Sequence, residues 1–181
     1  FVKPKTDRGY PMETAPHLLG YIRRISQKQF QSALDYGDEF YSKSDFIGIT
    51  GLEKVYEKQL RGKRGNVNYL KDYAGNKVET IDKKPAKPGD DLYTSIDIEL
   101  QKLGEDLMKN KIGSIVAIEP STGEVLCMIS APSYKPSLLT GKGFSNAYKI
   151  LKKNDSIKPL INRPIYNDRY RPGSIFKLVQ A

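Results

Sequence analysis

Cysteine occurs once in the 181 residues, as Cys127, and histidine once, as His17. A single cysteine excludes an internal disulfide. One cysteine with one histidine is too few ligands for a structural zinc site. No metal or other cofactor is therefore expected. Cys127 lies inside an apolar run and reads as a core residue. No apolar run approaches the ~20 residues that cross a bilayer. No basic, apolar, small-residue stretch marks a signal peptide at the start. No run of five like charges and no internal repeat is visible. The first residue is Phe1 rather than Met, so the chain is expected to be a piece, with any anchor or export signal upstream.

What is present suits one domain or two small ones. Apolar residues make up 38% and charged residues 28%, enough for a modest core. The net charge of +9 raises nucleic acid as a partner. The basic residues are dispersed, however, from Lys3 and Arg8 through Arg23, Arg24, Arg61, Arg64, Lys83 and Lys84 to Lys152 and Lys153, with acids between them. The expectation is a solvated, mildly basic surface and no nucleic acid, with proximity to anionic lipid or wall polymer left open.

Prolines 4, 11 and 16 exclude a long helix in the first sixteen residues. His17 to Ser26 reads as a strand. Ser26 followed by Gln29 is a capping box, predicting a helix to about Asp35. Thr50 with Glu53 is a second, opening a helix with Leu52, Val55, Tyr56 and Leu60 on one face and Gly62 at its end. Residues 66–73 and 77–83 flank Ala74-Gly75-Asn76 and read as a charged hairpin with at least one wet face. Residues 84–90 are a linker by composition. Leu92 to Ser95 reads as a short strand. Asp97 caps a helix with an apolar stripe of Leu100, Leu103 and Leu107, ending near Lys111. Residues 114–119 and 124–130 read as a hairpin covered on both faces, because both strands are nearly continuous in apolar residues. Thr140-Gly-Lys-Gly143 is no phosphate loop: Pro136 stands where the first glycine belongs and Gly143 replaces the hydroxyl residue. Ala147 to Lys153 reads as a short basic helix.

The stretch Tyr170-Arg-Pro-Gly-Ser-Ile-Phe-Lys177 carries the chemistry. Pro172 and Gly173 interrupt the chain immediately before Ser174. If Ser174 opens a helix, Lys177 lies one turn on, on the same face, within reach of the hydroxyl. Positive potential at a helix start favours an alkoxide or oxyanion there. A serine nucleophile with a lysine base is one reading of this arrangement; a helix cap followed by a solvated lysine is the other, and the spacing alone does not separate them.

Five blocks in order then resemble class B penicillin-binding proteins, within them the penicillin-binding protein 2 group of the rod-elongation system. They are His17-Leu-Leu-Gly20-Tyr21; Gly48-Ile-Thr-Gly51-Leu-Glu53 with Tyr56-Glu57, Leu60 and Gly62; Leu92 to Asp97 with Leu100-Gln101; Pro120-Ser-Thr-Gly123 through Met128, Ser130, Pro132 and Tyr134; and Asn162-Arg163 followed by the Ser174 motif. Position 175 is Ile where that family usually has Thr, and position 127 is Cys where Ala is commoner. The resemblance implies an α+β chain: a pedestal, or dimerisation-type, domain over 1–88, then over 89–181 the beginning of a transpeptidase α/β-sandwich domain. It implies a D,D-transpeptidase in which Ser174 is acylated by stem peptides or β-lactams and Lys177 takes its proton. The family's later Ser-x-Asn and Lys-Thr-Gly motifs do not occur in these residues. The chain alone is therefore expected to be inactive. Implied partners are a SEDS-type glycosyltransferase and a periplasmic scaffold of the elongation machinery. The implied location is the extracytoplasmic, periplasmic face of the inner membrane. A homodimer through an open sheet edge is a further expectation. A non-catalytic pedestal module and a class D β-lactamase-like hydrolase are the alternative readings.

Overall fold

A computed structural model of the chain describes residues 9–38, 40–166 and 173–180. Helices and strands are mixed, as an α+β chain requires. The strand expected from His17 to Ser26 is mostly replaced by a helical turn, α1 (Pro16–Leu19), and strand β1 spans Ile22–Arg24 alone. Pro16 pre-sets a helical φ at N1, and Gly20 turns the chain out at φ 83°. β1 pairs antiparallel with β2 (Phe46–Gly48), Ile22 facing Gly48.

Between them runs α2 (Gln27–Asp35), which starts at the Ser26 capping box with both reciprocal hydrogen bonds made. The Thr50 box is not made. Thr50 precedes α3 (Gly51–Val55) without a side-chain cap, and Glu53 is buried. Tyr56 breaks the expected helix, and α4 follows over Glu57–Leu60. The Arg61 guanidinium ties the preceding loop to this break. It donates to both Asp38 carboxylate oxygens at 2.8 and 3.2 Å and lies 4.3 Å from the Phe40 ring centroid. The hydrogen bonds from Arg61 hold the Asp38 carboxyl below its usual range. Glu57 accepts from the Tyr41 hydroxyl at 2.9 Å and from the Gly48 amide at 2.7 Å.

Two motif glycines pass each other here. A Cβ on Gly20 would lie 1.9 Å from the Thr50 carbonyl oxygen, and one on Gly51 2.4 Å from that of Leu18. The block around His17 and the block around Gly51 thus pack backbone against backbone, a contact that any side chain would prevent.

The charged hairpin forms as expected from β3 (Asn66–Lys71) and β4 (Lys77–Lys84). Both of its faces are exposed, including Leu70, Val78 and Ile81.

The second part is organised on α5 (Ile98–Leu107), β5 (Gly113–Ile118) and β6 (Val125–Ala131). Asp97 caps α5 by accepting from the Glu99 and Leu100 amides, both at 2.9 Å. Leu92 to Ser95 forms no strand; Ser95 instead donates to the Val125 carbonyl at 2.9 Å. The leucine stripe is not the packed face. Leu103 and Leu107 are exposed, whereas Gln101 and Gly104 are buried. Gly104 lets the helix approach β6 closely: a Cβ there would sit 2.4 Å from Ile129 Cδ1. Gln101 then acts as one more residue of sheet. Its amide oxygen accepts from Met128 N at 2.8 Å, and its Nε2 donates to Met128 O at 3.1 Å and to Glu105 at 2.9 Å. Leucine at position 101 would strand both Met128 backbone groups. At ~1–3 kcal/mol for each buried unpaired group, Gln101→Leu should cost about 3 kcal/mol. For a chain of this size that is roughly a 6–12 °C drop in Tm, read by circular dichroism.

β5 and β6 form the expected hairpin, but it is not covered on both faces. Val116 and Ile118 on β5 are exposed, because α5 covers one face and no described element covers the other. Cys127 is buried, as expected for a core residue. α6 (Phe144–Lys153) starts three residues earlier than the predicted basic helix. Among the described residues no helix is long and apolar enough to cross a membrane.

Candidate active site

Ser174 lies in a 3₁₀ turn, Gly173–Phe176, and Lys177 begins the α-helical turn α7 (Lys177–Gln180). The expected helix therefore starts as a 3₁₀ turn. Lys177 follows Ser174 by three residues across the junction of the two turns, the spacing at which helical residues are neighbours. Gly173 supplies the turn at φ 60° with open space around its α-carbon. Both Ser174 and Lys177 are exposed, and no hydrogen bond joins them. Tyr170, Arg171 and Pro172 lie outside the described residues.

The segment leading towards this turn is held by a buried polar cluster. His17 Nε2 lies 2.6 Å from the Pro159 carbonyl oxygen, and its ring meets Tyr134 edge-on at 5.2 Å. Asn162 Nδ2 donates to the His17 carbonyl at 3.4 Å. Its own Oδ1 is buried without a hydrogen-bond partner. Ser130, at the end of β6, donates to the Ile161 carbonyl at 2.6 Å and accepts from the Arg163 amide at 3.1 Å. The Arg163 guanidinium is buried and donates to the Ile157 carbonyl at 2.5 Å. Glu105 joins the same neighbourhood from α5, accepting from Thr14 Oγ1 and from the Ala15 amide, each at 2.8 Å. The start of the chain, β6 and residues 157–163 are thus one hydrogen-bonded unit.

Sequence reasoning placed Asn162 and Arg163 on the approach but missed that His17, Ser130 and Glu105 hold it. Their separation along the chain hid the cluster. The signal available was the occurrence of Ser130 and His17 inside motif blocks, with no catalytic duty to explain either.

Burial pushes the His17 imidazole below its ordinary 6.5, and the nearby Arg163 charge acts in the same direction. The Pro159 hydrogen bond and the Glu105 carboxylate oppose them. The unfolded chain therefore takes up a proton at a pH where the folded chain does not. The stability that neutral His17 confers is complete well above pH 6.5 and falls as pH drops through that value, with a limiting slope of ~1.4 kcal/mol per pH unit. Tm should fall between about pH 7.5 and 5.5, and His17→Gln should flatten that dependence. Parallel curves for the two chains would exclude this role.

Comparison with known proteins gives a consistent result. Residues 1–94 match the profile of the penicillin-binding protein dimerisation domain, and residues 113–181 that of the penicillin-binding protein transpeptidase domain. Penicillin-binding protein 3 of Bacillus subtilis is 38% identical over 177 residues, covering 97% of this chain and 25% of that protein. Peptidoglycan D,D-transpeptidase MrdA of Acinetobacter baumannii is 33% identical over 181 residues, 99% of this chain and 26% of that protein. Penicillin-binding protein PBP2 of Helicobacter pylori, solved in complex with MreC, superposes with a TM-score of 0.74 at 30% identity, covering 87% of this chain and 29% of that one. A second structure of that PBP2 gives 0.69 at 31% identity, covering 95% and 32%. The chain spans about a quarter of the length of the curated relatives it matches.

Proposed function

The chain belongs to the penicillin-binding proteins, and from that membership we propose that it is the pedestal and opening transpeptidase segment of a peptidoglycan D,D-transpeptidase. The proposed division puts the pedestal at 1–88 and the transpeptidase segment at 89–181. Ser174 is the nucleophile and Lys177 the base. The observation that supports this most is the helical start directly after Gly173, with Lys177 three residues beyond Ser174, within a chain matched along its length by D,D-transpeptidases.

The chemistry follows from those two groups. Lys177, in its neutral form, takes the Ser174 proton as Oγ attacks the carbonyl of a terminal D-Ala-D-Ala peptide bond. The tetrahedral intermediate collapses, the C–N bond breaks, and terminal D-alanine leaves with a proton on its amine. An amine of a neighbouring stem peptide then attacks the Ser174 ester, forming the cross-link and returning the proton to Oγ. A β-lactam opens on the same oxygen and stays as an ester. A free lysine is protonated below ~10.4, so the base must be made neutral by burial or by neighbouring cations. Lys177 is exposed here, and the motifs that supply such neighbours in the family, Ser-x-Asn and Lys-Thr-Gly, are not in this sequence. The 181-residue chain by itself should therefore leave benzylpenicillin unreacted. Intact-mass spectrometry should show the unmodified mass after prolonged incubation; a stoichiometric penicilloyl adduct would refute that expectation.

By the same membership the partners proposed are a SEDS-type glycosyltransferase and a periplasmic scaffold, at the periplasmic face of the inner membrane. The Helicobacter relative's complex with MreC supports the scaffold. A second reading, a non-catalytic pedestal module, is favoured by the apolar residues left exposed on both strands of the β3–β4 hairpin. Capture of a purified scaffold by residues 1–88 alone would support it.

A further inference from the structure

An open groove of about 510 Å³ lies between the β1–β2 pair and the segment from Leu139 to Lys149. Four cations line it: Arg23 and Arg24 from β1, Lys142 from the 3₁₀ turn Gly141–Gly143, and Lys149 from α6. No carboxylate lines it. Among the described residues none of the four forms an ion pair. Like charges gathered in a concave wall repel one another and focus a positive potential into the groove. Folding gains nothing from that arrangement unless an anion occupies it.

The groove is also preformed. Tyr21 packs against Phe144 and Tyr148 with ring centroids 5.6 and 6.0 Å apart, and Phe144 stacks on Tyr148 at 5.7 Å. These rings lock α6 to the residue just before β1, so the cations are set on two fixed supports. Phe144 and Ser145, the first residues of α6, belong to the same lining. The positive end of the ten-residue helix therefore adds to the field of the side chains. Phe46 and Tyr148 give the groove an apolar wall beside the charges.

We propose that this groove binds a phosphate ester, with Arg24 on one side of the phosphate and Lys142 and Lys149 on the other, while Arg23, on the opposite face of β1, adds its charge from further away. Guanidinium forks match two phosphate oxygens at once, and ammonium groups neutralise the remaining charge. Two sources present that chemistry: the headgroup of an anionic lipid, whose glycerol and chains suit the apolar wall, and a soluble phosphate. A ligand there would bridge the two parts of the chain. The proposal rests on the charges and shape of the groove and is independent of Ser174 chemistry.

The 181-residue chain suffices for the test. Inorganic phosphate is titrated against chloride at matched ionic strength while amide signals are followed by NMR. Flotation with phosphatidylglycerol vesicles is compared with phosphatidylcholine vesicles. Arg24→Gln/Lys149→Gln removes two exposed groove cations, and Lys77→Gln/Lys83→Gln removes two from β4 as a charge-matched control. Phosphate should shift the amides of Lys142, Ser145 and Lys149. The groove variant should bind the responding probe at least about ten-fold more weakly, since one cation near an anionic surface is worth roughly five-fold, and the control should stay within about two-fold. Retention on phosphatidylglycerol alone assigns the lipid source, and amide shifts without vesicle retention assign a soluble phosphate; either supports the site. Neither response, or equal weakening by the two variants, overturns it.

Discussion

Alanine at Ser174 will abolish acylation by penicillin in a longer chain that carries the Ser-x-Asn and Lys-Thr-Gly motifs, with no adduct at any time. The oxygen that must form the ester is gone, so no residual route to a covalent product exists. Alanine at Lys177 will behave differently. The nucleophile remains but loses the group that takes its proton, and the acylation rate should fall on the order of 10³-fold or more. Raising the pH should restore part of that rate, because hydroxide can substitute for the missing base. The distinction separates a nucleophile from its base. Stopped-time labelling with a fluorescent penicillin across a pH series reads both effects. A Ser174→Ala chain that still forms the ester, or a Lys177→Ala chain with the parent rate and pH profile, would remove the two residues from these roles.

The second large effect is on stability. Gly20→Ala should cost about 3–5 kcal/mol, combining strain at a conformation suited to glycine with the displacement of packed backbone. Gly20 sits at φ 83° and ψ −160°. Its absent Cβ would meet the Thr50 carbonyl oxygen at 1.9 Å. Backbone cannot yield as a flexible side chain can. Gly75→Ala is the internal comparison: its φ is 85°, yet nothing lies within 4 Å of an added Cβ. It should cost only the strain, ~1–2 kcal/mol. Urea titration of both variants checks this. Equal losses would mean that close approach of the two glycine blocks contributes nothing.

How far the sequence could be read depended on how local each cause was. The Ser26 capping box needs only residues three apart, and α2 starts where it says. Asp97 is similar, and α5 follows it. The Thr50 box has the same spacing, with Thr and Glu in place of Ser and Gln, but is not made, because Gly51 is drawn against Leu18 and Glu53 is buried. His17 to Ser26 contains strand-forming residues, yet packing of Gly20 on Thr50 and the His17 contact with Pro159, far along the chain, favour a turn instead. On α5 the leucines marked an apolar stripe, but the packed face is Gln101 and Gly104. A glutamine that pairs with a strand's backbone looks like a surface residue until the strand is in place. Ser174 and Lys177 were singled out by a three-residue spacing together with the family motif around it. The cluster that holds their approach joins residues more than a hundred positions apart, beyond any local pattern.

The most direct measurement is to label the longer chain with a fluorescent penicillin, digest with trypsin and sequence the labelled peptide. Arg171 precedes proline and resists cleavage, so the fragment is Tyr170–Lys177. The account requires the label there, on Ser174. A label on any other peptide, such as one holding Ser130 or Ser145, would contradict it.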